Sequence, residues 1–231
     1  MGAPYRHGRY WYYARTEAGK QYAILCRKEG SLEAEEILLL DENVLAEGHE
    51  FFSLGAVSVS PDGLRLAYAT DTDGSETYDL SVKDLASGAA LIDRVHDVVS
   101  LAWCSDNRTL YYTTRDAAKR PYRLYRHRLG QATGSDELLY EETDERYTLS
   151  VSRTRCGTYV LLVSSSVTSD EVRALRADDP TAAPRLLLAR REGMEYSVAH
   201  HDGSFYILTN LDAPNFRLVR TPVDDCSSEA W

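Results

Sequence analysis

Three consecutive serines, Ser164, Ser165 and Ser166, are the first candidates for a catalytic nucleophile. A serine becomes nucleophilic when a base removes its proton, and α/β-hydrolases hold it on a strained G-x-S-x-G turn between a strand and a helix. That pentapeptide is absent from the sequence, and the serine run has no flanking glycine. We therefore interpret the three serines as a loop and predict no catalytic residue in the chain.

Histidines could supply a metal site or a general base. His200 and His201 are adjacent, and adjacent residues of a strand point to opposite faces, so the two rings cannot easily share one metal ion. The other histidines have no ligand-like spacing: His7, His49, His96 and His127. The sequence predicts no metal site.

An acidic segment at residues 71–76 begins like a calcium-binding loop, because Asp71 and Asp73 alternate before Gly74. The rest of the twelve-residue pattern is missing, and the segment continues into a predicted strand. We favour an acidic hairpin tip, with a cation site as the alternative.

Four cysteines lie far apart, at Cys26, Cys104, Cys156 and Cys226, and no C-x-x-C pair occurs. This spacing fits neither a zinc site nor a compact disulfide framework. We predict isolated buried thiols and no cofactor.

The formal net charge of −10 argues against a nucleic-acid partner, because phosphate contacts require a basic face. No apolar run is long enough to span a membrane, and no apolar segment follows the N-terminal basic residues, so we expect no secretory signal and a cytoplasmic location. The acidic balance either serves solubility or concentrates cationic ligands.

A repeated hairpin pattern organises the chain. Pro61-Asp62-Gly63 separates two apolar runs, and its fixed φ, side-chain acceptor and permissive glycine favour a tight turn. The same pattern returns around Asn107, Gly157 and Gly203, at intervals of 44, 50 and 46 residues from Gly63 onwards. This period is typical of the blades of a β-propeller.

The predicted fold is therefore all-β, a propeller of four-stranded antiparallel blades with five units present. We place the units at about residues 5–48, 56–94, 99–142, 147–190 and 195–231, the last one incomplete. Helical signal is confined to residues 41–48, where Asp41 could cap a single turn and Gly48 could end it. Residues 178–184 are interpreted as a connection inside a blade.

Several blocks, in this order, carry a family resemblance. They include Tyr5 to Tyr22, the Ser60-Pro61-Asp62-Gly63 turn, residues 106–112, residues 120–127, residues 191–197 and residues 205–210. These blocks resemble the opening propeller strands of oligopeptidase B, or protease II, enzymes in the prolyl oligopeptidase family of serine peptidases. The resemblance covers essentially the whole chain.

The resemblance implies a peptidase that cleaves short peptides after Arg or Lys. Family members pair a seven-bladed propeller with an α/β-hydrolase domain that holds the Ser, Asp and His of the triad. No position of this chain matches those motifs, and the chain starts without the family's N-terminal helical segment and stops within a blade. We expect a propeller fragment, catalytically inactive alone, whose substrate-binding residues stay unknown and whose partners are the hydrolase domain and short basic peptides.

Two other functions remain open at this point. A free-standing propeller could act as a protein-interaction scaffold, although regular signature dipeptides are missing. A five-bladed glycosidase would require carboxylates converging on the central tunnel. Because five units of a seven-bladed design leave exposed blade edges, we also expect either self-association of an open arc or a distorted closed ring.

Overall fold

The computed structural model describes residues 2–227 and 230–231, with the backbone alone at Ile92 and Asp93. Met1, in the N-terminal segment, and Ser228 and Glu229, in the predicted last unit, lie outside the described residues.

Nineteen strands of the described chain form five antiparallel sheets, and in each sheet the strands follow chain order from one edge to the other. The first sheet contains β1 (Tyr5–His7), β2 (Tyr10–Arg15), β3 (Ile24–Glu29) and β4 (Glu36–Asp41). The second contains β5 (Ser53–Val59), β6 (Arg65–Asp71), β7 (Asp79–Asp84) and β8 (Ala90–Val95). The third contains β9 (Ser100–Trp103), β10 (Thr109–Arg115), β11 (Pro121–Arg128) and β12 (Glu137–Glu141).

The fourth sheet contains β13 (Thr148–Arg153), β14 (Tyr159–Ser165), β15 (Asp170–Arg176) and β16 (Arg185–Leu188). The fifth has three described strands, β17 (Tyr196–His201), β18 (Ser204–Thr209) and β19 (Arg217–Pro222). Helical structure in the described chain is limited to α1 (Glu42–Leu45), a 3₁₀ turn at Thr133–Ser135 and a 3₁₀ conformation at Ala230. No helix among the described residues is long and apolar enough to cross a membrane.

The hairpin turns form where local chemistry favours them. Gly63 has a φ of +77°, a conformation that a side chain disfavours, and Asp62 accepts a hydrogen bond from the backbone N–H of Leu64 at 3.0 Å. Asn107 occupies the equivalent turn of the third sheet with a φ of 59°, which asparagine tolerates better than most residues. The predicted cap of α1 is also present, because Asp41 accepts a hydrogen bond from the N–H of Asn43.

The apolar core lies between successive sheets. Leu40 and Leu66 join the first sheet to the second, Leu80 and Trp103 join the second to the third, and separate clusters fill the next two gaps. Those clusters include Tyr111 with Leu162, and Leu161 with Phe205. Sheets packed face to face in sequence, each buried by its neighbours, form a β-propeller arrangement, which confirms the predicted fold class.

The outward face of the fifth sheet is exposed. Leu208 and Leu218 are register partners on this face and are 46% and 67% exposed. The first sheet therefore does not cover it, and the exposed face favours an open arc over the closed ring.

The serine run differs from its predicted loop. Ser164 and Ser165 belong to β14, and only Ser166 follows the strand. Ser164 is fully buried because its hydroxyl donates a hydrogen bond to a buried carboxylate, that of Glu142, which directly follows β12. A polar strand end therefore looked like a loop in the sequence.

Candidate functional site

The first strands of the second, third and fourth sheets, β5, β9 and β13, lie next to one another on the inner side of the arc. The hydroxyl of Ser100 in β9 accepts a hydrogen bond from the N–H of Val151 in β13 at 2.9 Å, which fixes two of these strands side by side. The exposed side chains of β13 are small and polar: Thr148, Ser150 and Ser152. None of β1, β5, β9, β13 and β17 contains an aspartate or a glutamate. These five first strands, which we call the inner wall, therefore carry no carboxylate. The tunnel carboxylates that a glycosidase would require are absent from them.

The acidic residues instead gather in connections. In each antiparallel sheet, the connections between strands two and three, and between one sheet and the next, lie at the same end of the arc. We call this the second end, and we call the end with the other hairpins the first end. Connections of the second end contain these acids: Glu17, Glu42, Glu47, Glu50, Asp73, Glu76, Asp97, Asp116, Glu142, Asp144, Glu145, Glu192, Glu195 and Asp212. This end could attract cationic ligands.

Hydrogen bonds across the sheets fix the second end. Arg115 forms an ion pair with Asp97 and also donates to the carbonyl of Glu76 in the second sheet. Lys119 donates to the carbonyl of Ser75 at 2.8 Å. These bonds tie the hairpin tip of the third sheet to that of the second, so the loops around the inner wall are held in place.

A buried ion cluster joins the third and fourth sheets at the second end. Arg190 pairs with both Glu142 and Glu171, 3.1 Å from the latter, and the two carboxylates are 3% and 7% exposed. The guanidinium carbon of Arg190 also lies 3.8 Å from the centre of the Tyr147 ring, and Ser164 donates to Glu142. Burial alone would raise the pKa of each carboxyl, but hydrogen bonds outweigh it and hold the pKa of both below the usual range: Arg190 donates to both, Ser164 also donates to Glu142, and Arg173 to Glu171.

The acidic segment at residues 71–76 is a hairpin tip. Asp71 accepts backbone hydrogen bonds from Asp73 and Gly74 through Oδ1 and from Glu76 through Oδ2, at 2.8–3.0 Å. Its oxygens serve the turn itself. No group of three or more metal-ligating side chains occurs among the described residues, and the favoured interpretation of the sequence agrees with this geometry.

One cysteine differs from the prediction. Cys26, Cys104 and Cys226 are buried and free, but Cys156 is exposed in the hairpin turn between β13 and β14. The prediction of buried thiols is wrong for Cys156 because a turn at the first end faces solvent.

A histidine from the next sheet accompanies this cysteine. Nδ1 of His200 lies 3.1 Å from Sγ of Cys156, and Thr154 and Thr158 hydroxyls lie 3.4 and 3.5 Å from the sulfur. Burial opposes the thiolate, but these hydrogen bonds lower the pKa of Cys156 to about 6. His201 does not contact the same sulfur, since it points to the opposite face of β17, as the sequence predicted.

Comparison with known proteins shows which family has this architecture. A family model described as the N-terminal β-propeller domain of prolyl oligopeptidase matches residues 1–231. Protease 2 of Moraxella lacunata is 39% identical over 237 residues, which cover 99% of this chain and 34% of that protein. Dipeptidyl aminopeptidase BI of Pseudoxanthomonas mexicana is 33% identical over 247 residues, which cover 99% of this chain and 34% of that protein.

Among solved structures, oligopeptidase B from Leishmania major superimposes with a TM-score of 0.89 at 27% identity, covering 98% of this chain and 33% of that one. Oligopeptidase B from Trypanosoma brucei gives a TM-score of 0.88 at 29% identity, covering 99% and 33%. The chain spans about a third of the length of these relatives. The chain belongs to the prolyl oligopeptidase family, as its N-terminal β-propeller domain.

Proposed function

We propose that this chain is the substrate-filtering part of a serine oligopeptidase that cleaves short peptides after Arg or Lys. An α/β-hydrolase domain, the partner of the propeller, supplies the Ser, Asp and His of the triad, and the chain alone is inactive. The observation that carries the proposal is the match of the propeller family over residues 1–231. Relatives named as peptidases support it.

The filter acts by size. The inner wall has short polar side chains and a backbone fixed by cross-sheet hydrogen bonds, such as that between Ser100 and Val151. A rigid wall of this kind admits an extended peptide and excludes a folded protein, and movement of the propeller relative to the hydrolase domain gates entry.

Charge contributes selectivity. The second end carries many acidic connections, while the inner strands carry none. A negative rim raises the local concentration of peptides that contain Arg or Lys and increases their association rate, and salt weakens this attraction. The acids of the second end therefore replace the tunnel lining as the proposed attractant.

Activity of the chain alone is tested with a fluorogenic peptide ending in Arg-Arg and a serine-reactive phosphonate probe read by intact mass. We expect neither turnover nor an adduct. Turnover with a covalent adduct would mean that one of these serines is an activated nucleophile, and the proposal would be wrong.

The charge contribution is tested in the full peptidase that contains this propeller. The double variant Glu145→Gln and Glu192→Gln removes two exposed acids of the second end, and Glu33→Gln with Glu35→Gln removes two exposed acids of the first end as the matched control. We expect kcat/KM for a basic peptide to fall at low salt only in the second-end variant. An equal effect of both variants, or no effect, contradicts the charge proposal and leaves the size filter to be judged from peptides of increasing length.

Two further properties belong to the proposal. The exposed apolar face of the fifth sheet, with Leu208 and Leu218, supports self-association of the 231-residue chain. A cytoplasmic location is supported by the four free thiols, because reducing compartments keep cysteines unpaired.

A further inference from the structure

A cleft of about 900 Å³ lies between the second and third sheets at the first end. Four arginines line it: Arg65 and Arg94 come from the second sheet, and Arg108 and Arg128 come from the third. Its volume lies within the range of small-molecule sites. Four positive charges around one cleft stand out in a chain of net charge −10.

These four arginines make no ion pair with any residue that the structure describes. The contrast within the third sheet is direct, because its other arginines each pair with a carboxylate: Arg115, Arg120, Arg123 and Arg126. Arg65 donates to the carbonyl of Asn107 at 2.7 Å, and Arg94, Arg108 and Arg128 are exposed. In a protein rich in acids, arginines without carboxylate partners keep their donors available for an anion.

Among the side chains that the structure describes, two carboxylates lie near the cleft, but their oxygens serve local turns. Asp84 accepts hydrogen bonds from the N–H groups of Ala86 and Ser87 and from the Ser87 hydroxyl, at 2.8–3.1 Å. Asp106 accepts from the N–H groups of Arg108 and Thr109 and from the Thr109 hydroxyl, at 2.7–2.9 Å. Neither carboxylate forms an ion pair with Arg65 or Arg128, so the positive charge of the cleft is only partly offset.

The cleft also has an apolar wall. Leu91 and Leu129 line it and pack against the core between the two sheets. A simple inorganic anion would leave this wall exposed, whereas an organic phosphate could place its charged groups on the arginines and its apolar part against the leucines. Arginine suits phosphate because its planar fork donates two parallel hydrogen bonds.

We propose that this cleft binds a small organic phosphate carrying two or more negative charges, with the nucleoside diphosphates as the chemical class that fits both walls. The site is separate from the inner wall and from the acidic second end. A phosphorylated metabolite bound in the cleft would stabilise the contact between the second and third sheets.

Isothermal titration calorimetry of the chain with ADP, with pyrophosphate and with adenosine tests this site. We expect ADP to bind, pyrophosphate to bind more weakly because it leaves the leucines uncovered, and adenosine to show no binding. Added salt should weaken the binding of ADP, since the contacts are ionic. Absence of ADP binding, or equal binding of adenosine, overturns the proposal.

Variants locate the binding site. Arg94→Gln combined with Arg108→Gln removes one exposed arginine from each sheet, and we expect ADP affinity to fall by at least about tenfold, because charge-assisted hydrogen bonds are lost. The matched control is Arg217→Gln combined with Arg220→Gln, two exposed arginines of β19 that also lack ion pairs among the described residues. Circular dichroism and thermal melting verify that both variants fold. Equal losses in the two variants would show non-specific charge attraction and overturn the site.

Discussion

The side-chain oxygen of Asn107 accepts a hydrogen bond from the backbone N–H of Asp62 at 2.9 Å, so the turn of one blade is bonded to the turn of the preceding blade. The carbonyl of Asn107 accepts a second bond, from Arg65 at 2.7 Å. One residue thus closes its own hairpin and fastens the second sheet to the third at the first end.

Two replacements of Asn107 distinguish the contribution of its side-chain hydrogen bond from that of its backbone conformation. Asn107→Ala loses the bond to Asp62 and places a residue without asparagine's tolerance at a φ of 59°, so we expect a loss of about 2 kcal/mol in the free energy of unfolding. Asn107→Gly loses the same bond but accepts the left-handed conformation, and we expect a smaller loss of about 1 kcal/mol. Urea denaturation of both variants measures the difference. Equal losses would show that the backbone conformation costs nothing here.

The buried ion cluster predicts a pH-dependent stability. Arg190→Gln leaves Glu142 and Glu171 buried without their shared cation, and we expect a loss of about 3 kcal/mol at neutral pH. In the unchanged protein both carboxyls have lowered pKa values, so the cluster stabilises the fold above about pH 4.3 and this contribution is lost as the pH falls through the folded-state pKa. The deficit of the variant should therefore shrink below about pH 4, where protonation removes the charge of Glu142, which the variant leaves without a cation, whereas Glu171 keeps its ion pair with Arg173.

A surface ion pair in the same region provides the control for this experiment. Arg146 pairs with Asp144 at 2.7 Å, but the Arg146 side chain is 76% exposed. Arg146→Gln should change stability little at any pH, because solvent screens the pair. Denaturant midpoints from pH 3 to pH 8 compare the two variants. A deficit of Arg190→Gln that is constant over this range would contradict the electrostatic explanation.

The sequence predicted the parts of the fold that depend on local chemistry. Turns such as that at Gly63 were predictable because a few neighbouring residues determine the backbone conformation. Ser164 was misplaced because its partner Glu142 lies 22 residues away, in the connection that follows β12, and no local pattern reports such a contact. The partner of Cys156 is 44 residues away, about one blade period, so alignment of the repeats could have suggested that pair.

The distribution of charge over the surface was the other property that the composition could not predict. A net charge of −10 describes the whole surface and conceals the local cluster of four arginines at the cleft. This cluster forms because the antiparallel sheets bring arginines that are distant in sequence, such as Arg65 and Arg128, to one end of the arc.

Cys156 should be the most reactive thiol of the chain. Its pKa of about 6 leaves it largely as thiolate at neutral pH, while Cys26, Cys104 and Cys226 are buried. We expect iodoacetamide to alkylate Cys156 first, with a rate that rises with pH to a plateau and has its midpoint near pH 6, as peptide mapping by mass spectrometry would show.

Variants of the two adjacent histidines test whether the reactivity of Cys156 comes from the contact with His200 or only from exposure of the thiol to solvent. His200→Ala removes the ring 3.1 Å from the sulfur, so the midpoint of the rate should move to higher pH. His201→Ala, on the opposite face of the same strand, should leave it unchanged. The same midpoint in both variants would exclude His200 as the group that lowers the pKa.

The exposed face of the fifth sheet predicts concentration-dependent association of the 231-residue chain. Leu218 is 67% exposed and lies beside Leu208, and burying this pair in a contact between copies removes apolar surface from water. Leu218→Lys should raise the dissociation constant by at least about tenfold, because a charge must then be desolvated in the contact. Val167→Lys is the control, since Val167 is 94% exposed but stands alone in a turn of the second end. Sedimentation velocity over a concentration series compares the three proteins, and a monomer at every concentration in the unchanged chain would refute self-association through this face.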